Sequence, residues 1–252
     1  MTVLLFFIAH WYASLFCQSF FLHRYGAHGQ FAMSKFWERF FFLLTVFTQG
    51  ASYMNPRAYI VMHRLHHEHS DGLKDPHSPW HTKNPWAMMG RARIIYIHLL
   101  DGHLRAKEKF YKNFPSWKSV ENFFETYPPR IVFVIGYITF YAFFANHWWL
   151  WFLLPIQIVI GPIQGAIVNW CGHKYGSKNF DNGDKSRNTW WLNLFLLGET
   201  NQNNHHKFPA RANFGYRWYE FDPLAPFIWF LDKIRVIRTG KRSQKSFTPL
   251  FI

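Results

Sequence analysis

The fold turns on residues 131–173, IVFVIGYITFYAFFANHWWLWFLLPIQIVIGPIQGAIVNWCGH, a stretch without a single Lys, Arg, Asp or Glu. Asn146-His147 divides it into Ile131–Ala145 and Trp148–Val168, which read as two membrane spans joined by a turn. Trp148, Trp149 and Trp151 suit an aromatic belt at the membrane interface. The stretch closes on Asn169 and His173, which at i and i+4 share one helical face. A membrane hairpin therefore leads straight into a candidate ligand.

Working outward, Thr2–Leu22 is a second uncharged apolar block, long enough to cross a hydrocarbon core of ~30 Å at ~1.5 Å per residue. No basic region precedes it, and a histidine motif begins at its end, so it is expected to be a retained span and not a cleaved leader. Uncharged runs this long are rarely the cores of soluble proteins. A shorter apolar stretch, Phe40–Phe47, is followed by Thr48-Gln49-Gly50 and Pro56, which interrupt it. It predicts an apolar helix near 40–62, buried in protein or lying at the membrane surface.

All 28 Lys and Arg of the 252-residue chain fall in Arg24–Arg130 and Lys174–Lys245. The positive-inside rule then puts 24–130 and 169–252 in the cytoplasm, with the N-terminus and the Asn146-His147 turn opposite. The net charge of +14 comes without a helix-turn-helix, RNP or zinc-finger pattern, so membrane lipid and phosphate-bearing substrates are expected as partners, not nucleic acid. Two cysteines, Cys17 and Cys171, offer neither a disulfide framework nor a CxxC metal site.

Of 15 histidines, eight lie in four clusters: His23 and His28 in HRYGAH, His63, His66 and His67 in HRLHH, His173 in NWCGH, and His205 and His206 in NQNNHH. Each cluster follows an apolar segment on the basic side. On a helix His63, His66 and His67 can face one metal-sized volume, and Gln202, His205 and His206 repeat that spacing. His23 and His28, at i and i+5, lie about 140° apart on a regular α-helix, which predicts a helix end there. A set of eight imidazoles without cysteine exceeds the needs of one tetrahedral zinc and suits two metals.

HRYGAH, HRLHHEHSDGLKDPHSP, NWCGH and GETNQNNHHKFP, followed by WYEFDPLAP, resemble the histidine boxes of the membrane fatty acyl desaturases, in particular the stearoyl-CoA, delta-9 branch of bacterial type. The resemblance runs from about residue 10 to 235. It implies an all-α integral membrane protein of about three to four transmembrane helices, folded as one domain over 1–252, with a cytoplasmic helical cap around a di-metal site. It implies two Fe, ligated by His23, His28, His63, His66, His67, His173, His205 and His206, that use O2 to remove hydrogens from unactivated carbons. Asn169 matches the asparagine that holds a water on one metal. Asp75, His77, Glu199 and Gln202 are expected to orient ligands or to act through water.

The chain departs from the pattern twice. Gln202 stands where delta-9 members usually have a histidine, and the chain is expected to begin at the second of the family's four spans. The implied substrate is a fatty acyl-CoA or acyl-lipid, in a bacterial inner membrane. No HPGG haem motif, GxGxxG or ferredoxin-like cysteine set is present, so electrons are expected from a separate ferredoxin-like or cytochrome b5-like donor. Arg105, Lys107, Lys109 and Lys112 could dock an acidic one, or form an ordinary solvated face. A polar stripe on the first span, His10, Ser14 and Gln18, reads as packing between helices or as a tunnel lining. A lipid hydroxylase, a zinc-binding membrane hydrolase and a non-catalytic relative are the alternatives; His69, His81, His98, His103 and His147 fit no box.

Overall fold

In the computed structural model, which describes residues 1–240, Thr2–Phe16 forms α1 and runs without a break into Cys17–Ala27, where the winding widens to π-helical. The first histidine box closes this segment: the His28 N–H donates to the His23 carbonyl at 3.1 Å. An i→i+5 bond brings residue i+5 back to the face of residue i. The spacing that misses by about 140° on an α-helix thus sets the two rings 4.9 Å apart. The expected helix end is present, since His28 is the cap, and the π turn is what reunites its ligand face.

The single apolar helix expected near 40–62 is two helices, α2 (Lys35–Gln49) and α3 (Pro56–His69), with a short 3-10 turn at Gly50–Ser52. Gly50 ends α2 at φ +50°, and a Cβ there would collide with the Tyr137 hydroxyl, so only glycine fits. Asn55 starts α3 by accepting from the Arg57 and Ala58 N–H groups at 2.9 and 3.4 Å, with Pro56 in the first turn, where no donor is needed. The same Asn-Pro device opens α4 (Pro85–Leu100), where Asn84 accepts from the Ala87 N–H at 2.9 Å. α5 (Lys118–Phe124) follows.

α6 (Tyr127–Phe144) is long and apolar enough to cross a membrane, as is the continuous helix Thr2–Ala27. The stretch expected as a straight span at 148–168 is instead bent by 77° between Trp148–Ile158 and Ile160–Lys174, giving α7 (Leu153–Ile158) and α8 (Ile160–Lys174). Pro162 explains the break: it has no N–H for the Ile158 carbonyl, and its ring crowds that group. Among the described residues there are two candidate spans, or three if the bent pair counts as one. The stripe His10, Ser14 and Gln18 is buried, and two of its members bond across helices: the Tyr137 hydroxyl lies 3.4 Å from His10 Nε2, and Ser14 Oγ donates to Gln164 Oε1 at 3.3 Å.

Two short helices follow, α9 (Gln202–Lys207) and α10 (Leu224–Lys233). A core of Phe20, Phe21, Phe41, Phe42, Leu224 and Ile228 locks the π segment between α2 and α10. The structure is mostly helical; its exception is a two-stranded antiparallel ladder, β1 (Phe31–Met33) with β2 (Ile237–Thr239), in which Phe31 pairs with Thr239 and Met33 with Ile237.

Arg64, one residue past His63, is fully buried and joins the first two boxes. Its guanidinium donates to the carbonyls of Gly26 and Ala27 at 3.0 Å each, of Phe110 and Lys112 at 2.9 and 2.7 Å, and of Asn113 at 3.3 Å. Burial lowers its pKa to about 10, so it remains charged at neutral pH. A planar fork reaches five carbonyls, whereas a lysine has three donors. Arg64→Lys is therefore expected to cost roughly 3 kcal/mol or more by leaving buried carbonyls unpaired. Thermal unfolding in detergent checks this; an unchanged midpoint would contradict it.

Candidate metal centre

The four clusters meet in one buried volume and sort into two groups. His23, His28, His63, His67 and His205 bring one ring nitrogen each within 4.8 Å of one another, and His66, His173 and His206 do the same. The three histidines of HRLHH thus do not share one metal-sized group. His63 and His67, at i and i+4, face the larger group, and His66 faces the smaller. His205 and His206 divide in the same way, because neighbours on a helix diverge by about 100°.

Nitrogen-to-nitrogen distances are short: His23 Nε2 to His205 Nε2 is 3.1 Å, His28 to His63 2.7 Å, His67 to His205 3.0 Å and His66 to His206 3.3 Å. Carboxylates on the other nitrogens fix the orientation of four rings. His66 Nδ1 lies 2.9 Å from Asp75, His173 Nδ1 2.9 Å from Asp71, His206 Nδ1 2.6 Å from Asp184 and His23 Nδ1 2.6 Å from Glu199. With Nδ1 of His66, His173 and His206 donating to its carboxylate, each of these rings, when neutral, presents an Nε2 lone pair to the interior. The buried Nε2 of His173 has no protein partner. His66 Nε2 and His206 Nε2 face each other at 3.3 Å, and their lone pairs repel unless a proton or a metal cation sits between them, so the donor set can hold metal.

The charge states agree. Desolvation, reinforced by neighbouring imidazoles, holds His28, His63, His67 and His205 well below the usual histidine range. His206 is lowered to about 4 by desolvation against the opposing pull of Asp184, and His77 to about 3. Burial alone would raise Asp75, Asp71, Asp184 and Glu199, but the imidazoles they touch hold all four below the ordinary carboxylate range. His66 runs the other way: desolvation lowers it, and Asp75 outweighs that and raises it.

Of the other sequence candidates, Glu199 sits on His23, while Asp75 and His77 form a third group with His66. Asn169 donates back to the Gly165 carbonyl at 2.8 Å. Gln202 donates to the Glu199 carbonyl at 2.6 Å, and its stem packs on Gly172, beside His173. His69, His81, His98, His103 and His147 belong to neither histidine group. Lys107 and Lys109 both reach Glu68 Oε1, at 2.9 and 2.8 Å. A cleft of about 400 Å³, lined by His67, Glu68, Ser70, Asn182, Asp184 and His206, opens onto one imidazole of each group.

Sequence reasoning missed Asp71, Asp184 and the buried arginines. Asp184 lies in the loop DNGDKS, which carries no periodic signal, and Asp71 has the left-handed φ of +60° in the turn after α3. Arg24 is held by Glu199 at 2.9 Å and Asp222 at 2.8 Å, and lies 4.0 Å over the Phe214 ring. Ser19 bridges Arg24 and Glu199 with two very short bonds. The third box rests on buried amides: Asn188 and Asn204 donate to Glu220, and Asn203 Oδ1 accepts from the Asn179 and Phe180 N–H groups.

Fold and site define a helical membrane protein built around two imidazole groups that could hold metal. A family model for fatty acid desaturase matches residues 1–231, and the chain belongs to that family. It is 28% identical over 219 residues to the Delta-9 desaturase-like 2 protein of Arabidopsis thaliana, covering 86% of this chain and 70% of the relative. It is 29% identical over 233 residues to Delta-9 acyl-lipid desaturase 1 of the same plant, covering 89% and 70%. Similarity to the sn-1 stearoyl-lipid 9-desaturase of Anabaena variabilis is 29% over 205 residues, covering 79% and 69%.

These charge states give a pH dependence for metal-stripped protein. An unfolded histidine titrates near 6.5, so between about pH 6.5 and 4 the unfolded chain binds protons that the depressed histidines refuse. Stability is therefore lost as pH falls from about 6.5 toward 4, opposed by His66, Glu125 and Asp222, whose folded-state pKa values are raised. A melting temperature in detergent that is flat or rises from pH 7 to 5 would contradict this.

Proposed function

We propose that the protein is an oxygen-dependent acyl desaturase of the delta-9 type, acting on the unactivated chain of an acyl-CoA or acyl-lipid at a di-iron centre on the cytoplasmic side of the membrane. What carries the reading is the division of eight buried imidazoles into groups of five and three, with four of the rings oriented by carboxylates. His23, His28, His63, His67 and His205 would hold one iron, and His66, His173 and His206 the other. When bound, the pair supplies the activation of O2 that breaking an unpolarised C–H bond demands.

The chain's own residues do the rest. Asp71, Asp75, Asp184 and Glu199 hold protons on Nδ1, so that Nε2 stays free to ligate. Gln202, whose stem packs on Gly172 beside His173, would complete the coordination or hold a water through its amide oxygen, and Asn169 is the second water-holding candidate. Histidine ligands without a resident redox cofactor require a separate electron donor, ferredoxin-like or cytochrome b5-like. The cleft over His67 and His206 opens onto one imidazole of each group. Thr2–Ala27, Tyr127–Phe144 and the bent pair would be the membrane spans, with 28–126 and much of the chain after Lys174 forming the cap.

Expression in a host that lacks its own desaturase tests the reading. The lipids should gain an olefin, His205→Ala and His206→Ala should each abolish it, and Gln202→His should retain iron. A hydroxylated lipid without new olefin, or an active His206→Ala variant, would overturn it.

A further inference from the structure

Residues 188–198, NTWWLNLFLLG, contain no charge and lie between the fourth and third histidine clusters, in a region otherwise rich in Lys, Arg, Asn and Asp. They do not join that polar shell. The Trp11 indole donates to the Phe195 carbonyl at 3.2 Å, and the Tyr12 hydroxyl to the Leu194 carbonyl at 3.3 Å. The rings of Trp11 and Phe195 stack at 4.6 Å, and Leu196 joins Trp11, Leu15 and Ile160 in one buried cluster. At ~1.5 Å per residue, Trp11 lies roughly 15–18 Å down the first span from His23. The loop therefore descends alongside the membrane helix before Leu197 and Gly198, at φ +48° and +82°, turn it back to Glu199.

Its outer side is apolar and open. Trp191 is 55% exposed and Leu194 68%, with Trp190 and Phe195 also exposed. The patch continues the exposed Leu5, Ile8 and Tyr12, which at i, i+3 and i+7 form the outward stripe of α1. Backbone in a bilayer must find internal partners, and several of this loop's groups have them. Leu196 N–H donates to Leu192 O, Gly198 N–H to Asn193 O and Thr189 N–H to Thr200 O, while two carbonyls take the Trp11 and Tyr12 donors.

We propose that Thr189–Leu197 is a loop immersed in the bilayer, with Trp190 and Trp191 at the headgroup boundary and Leu194 and Phe195 among the acyl chains of the leaflet on the histidine side. The loop enters from Thr189, bonded to Thr200, and leaves into Glu199, the partner of His23. Its grip on the leaflet thus sets the height of the histidine groups above the acyl chains. The proposal rests on reading Thr2–Ala27 as a membrane span.

Nitroxide labels at Leu194→Cys, Ile8→Cys and Gly183→Cys, in a chain lacking Cys17 and Cys171 and reconstituted in phosphatidylcholine vesicles, test it. The Leu194 label should relax with O2 like the Ile8 label, and its collisions with a water-soluble nickel chelate should be severalfold fewer than at Gly183. A Leu194 label that behaves like Gly183 while Ile8 reports lipid overturns the loop proposal alone; water exposure at Ile8 as well overturns the span. Hydroxyl-radical oxidation of wild-type protein in the same vesicles needs no substitution: Trp191 should be spared while Trp218, 94% exposed, is oxidised, and equal oxidation would overturn the proposal.

Discussion

Eight imidazoles can share one buried volume only if they are neutral and their lone pairs have something to meet. Charged, they would repel across 3 Å in a medium of low dielectric. Neutral and without a cation, they would still oppose lone pair to lone pair, as His66 and His206 do at 3.3 Å. Much else in the molecule answers this constraint. Four carboxylates hold four rings by the outer nitrogen, which favours that nitrogen as the protonated one of a neutral ring. Their own charge is stabilised by those contacts, by Ser186 and Lys185 backbone donors, and in the case of Glu199 by Arg24.

The two buried arginines serve different ends. Arg24 balances Glu199 and Asp222, so that a carboxylate can sit fully inside the protein beside His23. Arg64 donates to carbonyls at the end of the π segment and of residues 110–113, and so fixes the first box relative to the second. Each follows a ligand candidate by one residue, which turns the charge about 100° away from that imidazole around the helix. The third box has no long helix to hold it, since α9 is six residues, and relies on asparagine amides and the buried Glu220.

The membrane character and the identity of the eight histidines were legible because both depend on local pattern: uncharged runs in one case, helical spacing in the other. Their division into five and three was not, because it depends on which side of α3 meets which partner. The π winding of Cys17–Ala27 was hidden for a related reason, as nothing in CQSFFLHRYGA distinguishes it from an α-helix except the i, i+5 histidines it serves. Asp71 and Asp184 act across 102 and 22 residues of sequence, on His173 and His206, and such pairings leave no short-range mark. The bend at Val159 was written in Pro162, and the turn after Gln49 in Gly50, although neither angle could be read from composition.

Membrane and site are one construction here. The first span ends in the π segment that carries His23, the bent pair ends in His173, and the uncharged loop before Glu199 leans on Trp11 and Tyr12. The central claim is that the imidazoles form two metal sites of unequal size. Metal analysis of purified protein, wild type beside His63→Ala and His173→Ala, tests it most directly. Two irons per chain, with each substitution removing one and leaving the other, is the predicted result; a single zinc lost in both variants would contradict the account.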